Sequence, residues 1–331
     1  MARIFSGIQP SGELHIGNWL GAVRNWVDLQ ARHECLICIV DLHALTGAQY
    51  TPAEHARLTR EMAVSLLAAG IDPGRATLFV QSHVPEHSEL MWLLNAVTPV
   101  GELERMTQYK DKSGGLESIP AALLNYPILM AADILLYRAD LVPVGEDQLQ
   151  HLELAREVVR RFTTAFGRAP FPEPQPLLAP VKRVMGLDGQ GKMSKSRGNT
   201  IGILDEPEVI WQRIRPAVTD PARVTRKDPG TPEICNIYHL HQSFSPPDTV
   251  EMVARKCRGA EWGCLDCKRV LADNIAAEFA PMRERAAALA AEPDRVEAIL
   301  RDGAARARVL ARETLREVRD LMGFLPPEGI R

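Results

Sequence analysis

Hydrophobic positions follow two alternating patterns over the first 165 residues. Apolar positions recur at helical spacing at about 17–31, 53–69 and 147–165, which predicts three helices. Short apolar runs before and between them lead into polar turns and predict strands at 3–6, 35–41, 76–81 and 140–144. Because strands and helices alternate, the pattern predicts an α/β fold with a doubly wound parallel sheet and helices on both faces.

Three further segments depart from this alternation. The stretch from about 86 to 139 is too long for a simple crossover and contains helical patterns of its own, so we predict an insertion there. The segment 168–181 is rich in proline and predicts an extended connector. From about 205 onward Ala, Leu, Glu and Arg dominate at helical spacing, which predicts an all-helical second domain. The expected domains are therefore 1–200 and 201–331.

The composition is that of an ordinary globular protein, with 46% hydrophobic and 24% charged residues in a chain of 331. The formal net charge of −3 excludes a broadly basic nucleic-acid-binding domain, so any contact with nucleic acid would use local basic patches. No apolar stretch approaches the length of a membrane span, and no basic segment followed by an apolar run opens the chain. We therefore expect a cytoplasmic protein that does not enter a membrane.

Two polar segments carry the strongest chemical signal. The first, Pro10-Ser-Gly-Glu-Leu-His-Ile-Gly-Asn18, lies between the first predicted strand and the first predicted helix. There Gly17 and Asn18 would present backbone N–H groups and the positive end of the helix to a phosphate. The second, Lys192-Met-Ser-Lys-Ser196, lies in a glycine-flanked loop and would bring ammonium and hydroxyl groups to a polyphosphate. Together the two segments predict a nucleotide site.

These segments resemble the HIGH and KMSKS signatures of the class I aminoacyl-tRNA synthetases, with Asn18 in place of the last histidine of HIGH. An amide at that position can donate and accept hydrogen bonds but cannot titrate near neutral pH. Within the class, the chain resembles the tryptophanyl-tRNA synthetase family. The likeness extends through four more blocks in the first 200 residues, at 4–12, 101–108, 130–137 and 142–148.

The resemblance implies both an activity and an architecture. It implies activation of L-tryptophan by ATP to tryptophanyl adenylate and pyrophosphate, followed by transfer of tryptophan to the 3′ end of tRNA(Trp). It also implies a Rossmann catalytic domain with a connective insertion at about 86–139 and a KMSKS loop at 186–199. A helical anticodon-binding domain and a homodimer complete the expected architecture. Mg²⁺ would accompany the ATP without a protein cage of its own.

The same resemblance assigns the nucleotide site. His15, Asn18, Lys192 and Lys195 are the expected catalytic residues, with the two lysines directed at the pyrophosphate. The expected ATP-binding residues are Gln9, Pro10, Ser11, Gly17, Asn18, Gly145, Glu146, Asp147, Val184, Lys192, Met193, Ser194, Lys195 and Ser196.

Amino-acid specificity is expected to depend on Asp133, which lies within an apolar helical run. A carboxylate there is costly to bury unless it is hydrogen-bonded. The resemblance implies that it accepts the indole N–H of tryptophan, and the alternative is an ion pair with a neighbouring Arg or Lys. A site built around one such hydrogen bond rejects analogues that lack it by about 10⁴–10⁵, so no editing domain is needed. The other candidate tryptophan-binding residues are Phe5, Gly7, Val40, His43, Lys112, Tyr126, Met130, Val142, Val144 and Gln148.

The six cysteines fall into two groups. Cys35 and Cys38 lie in an apolar strand-like run, where residues three apart point to opposite faces, so we expect both thiols to pack in the core. The other four lie in the predicted helical domain, and their spacing predicts a metal or cluster site. Resemblance to some bacterial members of the family implies a [4Fe–4S] cluster, with zinc and unligated thiols as the alternatives. These four are Cys235, Cys257, Cys264 and Cys267.

Basic residues in the helical domain indicate RNA contacts. Arg255, Lys256, Arg258, Lys268 and Arg269 surround the four cysteines, so we expect the cluster to organise an anticodon contact without a redox duty. A second basic stripe lies in the last long helix. It either contacts the anticodon stem or forms a solvated face balanced by nearby glutamates, and its members are Arg308, Arg312, Arg316 and Arg319.

Two other functions fit parts of the sequence. A tyrosyl-tRNA synthetase would share the architecture but would need polar groups deep in the pocket for the phenol. A synthetase-derived binding protein could use the cysteines to sense metal or redox state, but its catalytic motifs would be expected to decay, and both motifs here are usable. ATP–pyrophosphate exchange with tryptophan and with tyrosine separates these possibilities.

Overall fold

The computed structural model describes five segments of the chain, residues 1–46, 50–115, 117–178, 184–194 and 197–325. Within these segments, none of the helices combines the length and the apolar character needed to cross a membrane.

A five-stranded sheet lies at the centre of the fold. Its strands are β1 (Arg3–Ile8), β2 (Glu34–Ile39), β3 (Ala76–Val80), β4 (Leu141–Val144) and β5 (Gln175–Leu178). Neighbouring strands all pair in parallel, in the order β3-β2-β1-β4-β5. The chain order therefore reverses between β1 and β4, which is where ligands bind in sheets of this type. The predicted doubly wound parallel sheet is confirmed.

Strand β5 lies within the segment predicted to be an extended connector, and that prediction is wrong for Gln175–Leu178. The strand pairs with β4 at the edge of the sheet, with Pro176 opposite Val142. Proline has no N–H to donate to a ladder, so in sheets it is confined mainly to edge strands, where one side needs no partner. The prolines that argued against a strand are compatible with this one position in the sheet.

The helices near the first strands follow the prediction with one interruption. The predicted helix at about 17–31 consists of α1 (Ile16–Asn18), a π-helical turn (Trp19–Val23) and α2 (Arg24–Leu29). A short helix, α3 (Asp41–Ala44), follows β2, and α4 (Pro52–Ala69) leads to β3.

Local signals determine both ends of α4. The Thr51 hydroxyl accepts a hydrogen bond from the N–H of Glu54 at 3.2 Å, and Pro52 occupies the first turn, where its missing N–H costs nothing. Gly70 ends the helix with φ of 113°, a left-handed conformation that favours glycine. These signals explain why the predicted start lies within one residue of the observed one.

The described residues of the predicted insertion form four helices. They are α5 (Glu86–Asn95), α6 (Val100–Glu104), α7 (Thr107–Ser113) and α8 (Ala121–Leu135). After β4, α9 (Leu149–Phe166) returns the chain towards β5, and α8 contacts both α5 and α9. The insertion packs onto the sheet, since α8 also contacts β1 and its Ile128 belongs to the same hydrophobic cluster as Phe5.

The C-terminal part is helical, as predicted. It consists of α10 (Pro207–Ile214), α11 (Asn236–Phe244), α12 (Pro247–Arg258), α13 (Cys264–Ala290) and α14 (Pro293–Leu321). Helix α13 packs against α4, and α14 packs against β3.

Two hydrophobic clusters cover the two faces of the sheet. Ile4 and Ile37 belong to a first cluster that reaches Phe279 of α13. Phe5 belongs to a second cluster that reaches Ala307 of α14. Both clusters extend across residue 200, so the domain boundary at 200/201 stays a prediction.

The thiols of β2 confirm the alternation of faces. Cys35 packs in the first cluster and Cys38 in the second, and both are almost fully buried. Burial, with a smaller effect of Glu34, raises the pKa of Cys35 to about 11, and burial raises the pKa of Cys38 well above its usual value. Both thiols are core groups, as expected from their spacing.

Three members of the predicted basic stripe on α14 form ion pairs with another helix. Arg308 and Arg312 donate to the same carboxylate oxygen of Glu86 at 3.1–3.2 Å, and Arg319 donates to Glu89 at 2.6 Å. The acids that balance these three arginines come from α5, and not from α14 itself as the solvated-face alternative supposed. These pairs connect the C-terminal helix to the start of the insertion.

Candidate active site

His15 organises the first motif as the N-cap of α1. Its Nδ1 accepts hydrogen bonds from the backbone N of Gly17 at 3.1 Å and of Asn18 at 3.3 Å, and Asn18 Oδ1 accepts from the backbone N of His15 at 3.3 Å. The expectation that the Gly17 and Asn18 N–H groups are available to a phosphate is therefore wrong. Because Nδ1 accepts, a neutral ring carries its proton on Nε2. That tautomer is compatible with the expected role of His15 as a hydrogen-bond donor.

The two motifs lie beside each other. The backbone N of Ile16 donates to the carbonyl of Ile201 at 2.9 Å, so the segment after the second motif pairs with the first motif. A Cβ at Gly17 would lie 3.6 Å from Met193 Cβ. The structure thus brings together two segments that are far apart in sequence.

The described part of the second motif forms a small hairpin. The backbone N of Met193 donates to the carbonyl of Val184 at 3.0 Å, and the backbone N of Ser194 donates to Asn199 Oδ1 at 2.8 Å. Met193 is buried, whereas Lys192 is exposed. Two expected ATP-binding residues of this motif lie outside the described residues, namely Lys195 and Ser196.

The remaining expected ATP-binding residues follow two neighbouring strands. Residues 9–11 come after β1, and residues 145–147 come after β4, at the start of a 3₁₀ turn that leads into α9. Because β1 and β4 pair in parallel, both sets lie at the carboxyl edge of the sheet. Glu146 and Asp147 are exposed there and offer carboxylates to hydroxyl groups of a ligand.

Asp133 accepts hydrogen bonds from three different parts of the fold. It lies on α8 and is 1% exposed. Its Oδ1 accepts from Gln81 Nε2 at 2.6 Å and from His87 Nδ1 at 2.7 Å, and its Oδ2 accepts from His43 Nε2 at 2.8 Å. Among the described residues no Arg or Lys pairs with it, so the ion-pair alternative does not describe this carboxylate.

The environment of Asp133 keeps it ionised. Burial raises the pKa of a carboxyl group, but here the hydrogen bonds and charges of His43 and His87 outweigh burial and hold the pKa well below its usual range. An ionised carboxylate only accepts hydrogen bonds, so each nitrogen that faces it must be a donor. The three hydrogen bonds use three of the about four acceptor positions of this carboxylate and leave one for a further N–H group.

The other candidate tryptophan-binding residues lie around this region. Gly7, the second-last residue of β1, lies beside Val40, and a Cβ at Gly7 would lie 2.8 Å from Val40 Cγ1, so the close approach requires glycine. Gln148 donates to the carboxylate of Asp147 at 3.3 Å. The apolar candidates lie in or against the second hydrophobic cluster and are Phe5, Val40, Met130, Val142 and Val144.

Tyr126 lies next to His43, with ring centres 6.2 Å apart. Its hydroxyl is 2.8 Å from His151 Nε2 and 3.3 Å from Gln108 Oε1, and Lys112 Nζ lies 5.2 Å from its ring centre. Burial raises the pKa of Tyr126 to about 12, and burial, followed by the charge of Lys112, lowers the pKa of His151 to about 4. Both rings are therefore uncharged at neutral pH, which suits the expected contact of Tyr126 with a substrate ammonium.

Three residues of this region, Gln81, His87 and Tyr137, were not among the candidate site residues. Gln81 directly follows β3, so the rule that ligands bind at strand ends does place it in the polar turns expected near the site, although it was assigned no role there. His87 and Tyr137 lie in segments with helical periodicity. Periodicity alone does not distinguish a polar ring with a role in the site from an ordinary core residue. His87 Nε2 is 2.7 Å from the Tyr137 hydroxyl, and both side chains are fully buried.

The four C-terminal cysteines are close enough for their charges to interact. Cys264 and Cys267 lie in the first turn of α13, and Cys257 lies near the end of α12. Burial, followed by the charges of Cys235 and the other two thiols, raises the pKa of Cys267 to about 12. Arg223 Nη1 lies 3.7 Å from Cys257 Sγ. However, no three His, Cys, Asp or Glu side chains of the described segments are arranged to hold a metal ion.

Part of the basic surface expected near these cysteines is engaged within the chain. Lys268 is 6% exposed, and its Nζ donates to the carbonyls of Arg215 at 2.8 Å and Ala217 at 2.6 Å. Arg258 forms an ion pair with Glu233. The expectation that Lys268 faces RNA phosphates is therefore wrong, because it instead satisfies backbone carbonyls beneath α13.

Comparisons with known proteins agree with this arrangement. A tryptophan–tRNA ligase of Deinococcus radiodurans is 54% identical over 329 residues, which cover 98% of this chain and 99% of that protein. The crystal structure of a tryptophanyl-tRNA synthetase from Campylobacter jejuni, complexed with ADP and tryptophan, superposes with a TM-score of 0.89 at 36% identity, covering 97% of this chain and 100% of that one. A tyrosyl-tRNA synthetase of Archaeoglobus fulgidus has a TM-score of 0.67 at 26% identity, over 86% of this chain and 90% of that one.

A family profile describes the larger part of the sequence. Residues 1–280 match the profile described as class I tRNA synthetases (W and Y). The match includes both motifs, the insertion and most of the helical part. This chain therefore belongs to the class I tRNA synthetases (W and Y).

Proposed function

We propose that the chain is a tryptophan–tRNA ligase. It forms tryptophanyl adenylate and pyrophosphate from L-tryptophan and ATP, and then transfers tryptophan to the 3′ end of tRNA(Trp). The observation that carries the proposal is the buried, ionised carboxylate of Asp133, which can accept an indole N–H. The identity of 54% with the Deinococcus radiodurans tryptophan–tRNA ligase supports the same activity.

The amino-acid half of the reaction requires orientation and exclusion of water. Asp133 would accept the indole N–H, while Phe5 and Val144 would contribute to the apolar walls around the ring. Tyr126 and Gln148 would hold the ammonium group, which directs the carboxylate of tryptophan towards ATP. Holding both reactants in line in this way removes most of the entropic cost of the attack.

The ATP half of the reaction requires stabilisation of developing negative charge. The tryptophan carboxylate attacks the α-phosphorus of ATP, and the bond to pyrophosphate breaks. Lys192 and Lys195 would neutralise the leaving pyrophosphate, and His15 would donate from Nε2 near the phosphates. Mg²⁺ would accompany the ATP and be held mainly by its phosphates, as is usual for this ion.

ATP–pyrophosphate exchange tests this proposal. With tryptophan the purified protein should incorporate labelled pyrophosphate into ATP, and tyrosine should support exchange with a kcat/KM lower by about 10²-fold or more. Omission of the amino acid is the matched control. Preference for tyrosine would favour a tyrosyl-tRNA synthetase, and exchange with neither amino acid would favour a binding protein derived from a synthetase.

The helical part 201–331 would bind the anticodon region of tRNA(Trp), and residues 1–200 would form the catalytic domain.

We also propose a homodimer. Trp92 on α5 and Val100 at the start of α6, which are 76% and 58% exposed, would lie in the contact with a second copy.

We further propose that Cys235, Cys257, Cys264 and Cys267 hold a [4Fe–4S] cluster. Four thiolates are the usual ligands of such a cluster, and the mutual charge effects on Cys267 support their proximity. A zinc ion held by the same four thiolates is the alternative. When bound, the cluster would order the loops around α12 and α13 for an RNA contact, without a redox step.

Iron analysis tests the cluster. Protein purified without oxygen should be brown and should contain about four iron atoms per chain. Cys264→Ala should lose most of the iron and the visible absorption, whereas Cys35→Ala, which removes a thiol packed in the sheet, should retain both. A colourless protein with stoichiometric zinc would contradict the proposal.

A further inference from the structure

A buried chain of hydrogen bonds extends from Asp133 to Tyr137. His87 Nδ1 lies 2.7 Å from Asp133 Oδ1, and His87 Nε2 lies 2.7 Å from the Tyr137 hydroxyl. The relative exposures of Asp133, His87 and Tyr137 are 1%, 0% and 0%. Water is therefore excluded from this chain, and each polar atom depends on its protein partner.

The three donors around Asp133 use its two oxygens unequally. An ionised carboxylate offers about four acceptor positions, two on each oxygen. Oδ1 accepts from Gln81 and His87, so both of its positions are used. Oδ2 accepts only from His43 among the described residues. The second position on Oδ2 is therefore the one through which this carboxylate can accept a ligand N–H.

His87 is held from both sides of its ring. The carboxylate of Asp133 can only accept, so Nδ1 of His87 carries a proton and donates it. Nε2 of His87 forms a hydrogen bond with the Tyr137 hydroxyl at 2.7 Å. Burial, followed by nearby negative charges, raises the pKa of Tyr137 well above its usual value, so the phenol keeps its proton.

The backbone that carries His87 is also anchored. Glu86, the first residue of α5, accepts hydrogen bonds from Arg308 at 3.2 Å and Arg312 at 3.1 Å on α14. Phe79 of β3 packs beside both rings, with centres 6.1 Å from His87 and 5.6 Å from Tyr137. The His87 ring therefore has little freedom to turn away from Asp133.

We infer that His87 is a positioning residue for amino-acid specificity. Locked by Tyr137, it saturates Oδ1 of Asp133 together with Gln81, and so leaves a single acceptor position on Oδ2 for the indole N–H. This inference rests on the proposed function and assigns part of its selectivity to residues that do not touch the substrate.

Exchange kinetics with two amino acids test the inference. One is tryptophan, and the other is the analogue in which sulfur replaces the indole N–H, β-(benzothiophen-3-yl)alanine. His87→Leu should lower the preference in kcat/KM for tryptophan over the analogue by about 10- to 100-fold, and the isosteric Tyr137→Phe by about 3- to 10-fold. Both losses should appear mainly in KM for tryptophan, while KM for ATP should stay within about twofold of the unmodified protein.

Two further variants separate positioning from packing. His87→Asn can place an amide N–H near the position of Nδ1 and should keep more of the preference than His87→Leu. Phe162→Leu removes a buried ring from the same hydrophobic cluster, but its ring contacts are Phe166 and Phe171, so it should affect the two amino acids equally. Loss of the preference in Phe162→Leu as well would overturn the inference.

The outcomes also distinguish this inference from the proposed function. If the unmodified protein does not exchange with tryptophan, the proposed function fails and the inference fails with it. If it does exchange, an unchanged preference in His87→Leu and Tyr137→Phe overturns the inference alone. Should His87→Leu not fold, Tyr137→Phe decides the question, because it removes one oxygen and keeps the ring.

Discussion

Asp133→Asn is expected to lower kcat/KM for tryptophan in ATP–pyrophosphate exchange by about 10³-fold. An asparagine offers an NH₂ group where the carboxylate offers an acceptor, so at least one of the three donors around this position would face another donor. Each buried group left unpaired costs about 1–3 kcal/mol, and the contact with the indole N–H is lost in addition. Together these losses amount to about 4 kcal/mol, which corresponds to the stated factor.

Asp28→Asn is the matched control for this variant. Asp28 is exposed on α2, so Asp28→Asn replaces a carboxylate by an amide without disturbing a buried group. The kcat/KM of this variant should stay within about twofold of that of the unmodified protein. Circular dichroism of both variants checks that the fold is retained. If folded Asp133→Asn kept activity within about tenfold, the carboxylate would not be the acceptor for the substrate.

Gly303→Ala is expected to lower the free energy of unfolding by about 3 kcal/mol. A Cβ at Gly303 would lie 1.8 Å from the carbonyl oxygen of Leu78 and 2.8 Å from its carbonyl carbon. These are backbone atoms of β3, which is paired along its length with β2, so they cannot move aside as a side chain could. Helix α14 would have to move away from the sheet, and overpacking of this kind costs about 1–3 kcal/mol or more.

Gly21→Ala provides the control for Gly303→Ala. A Cβ at Gly21 would meet no atom within 4 Å, so the same substitution should be neutral or stabilise the protein by up to about 1 kcal/mol. Thermal and urea unfolding of the two variants measure the difference. Equal stabilities would mean that α14 does not approach β3 as closely as described.

The sequence predicts helices and strands most accurately where the spacing of apolar residues marks the buried face of the element. Strands β1 to β4 are short apolar runs, and α4 carries both a helical period and a capping residue at Thr51. The sequence does not predict β5, because an edge strand buries few side chains and Pro176 has no N–H to donate to a neighbouring strand. The helix at 17–31 was predicted as one piece because the π-helical turn Trp19–Val23 keeps the same apolar face.

The site was predicted less completely than the fold. Topology alone brings strand ends together, so residues after β1 and β4 were expected at one edge and lie there. Hydrogen-bond partners were not predictable in the same way. His15 occupies the N–H groups of Gly17 and Asn18 that were expected to meet a phosphate, because its side chain caps the helix that it precedes.

By itself, the sequence determined the doubly wound parallel sheet, the helical C-terminal part and the family, since periodicity and the two motifs are local properties of the chain. Only the tertiary structure decided that Gln81, His87 and His43 surround Asp133, and that Arg308 forms an ion pair with Glu86. The physical reason is that a buried charge must be satisfied by whichever donors the fold brings within about 3 Å, and those donors come from elements far apart in sequence.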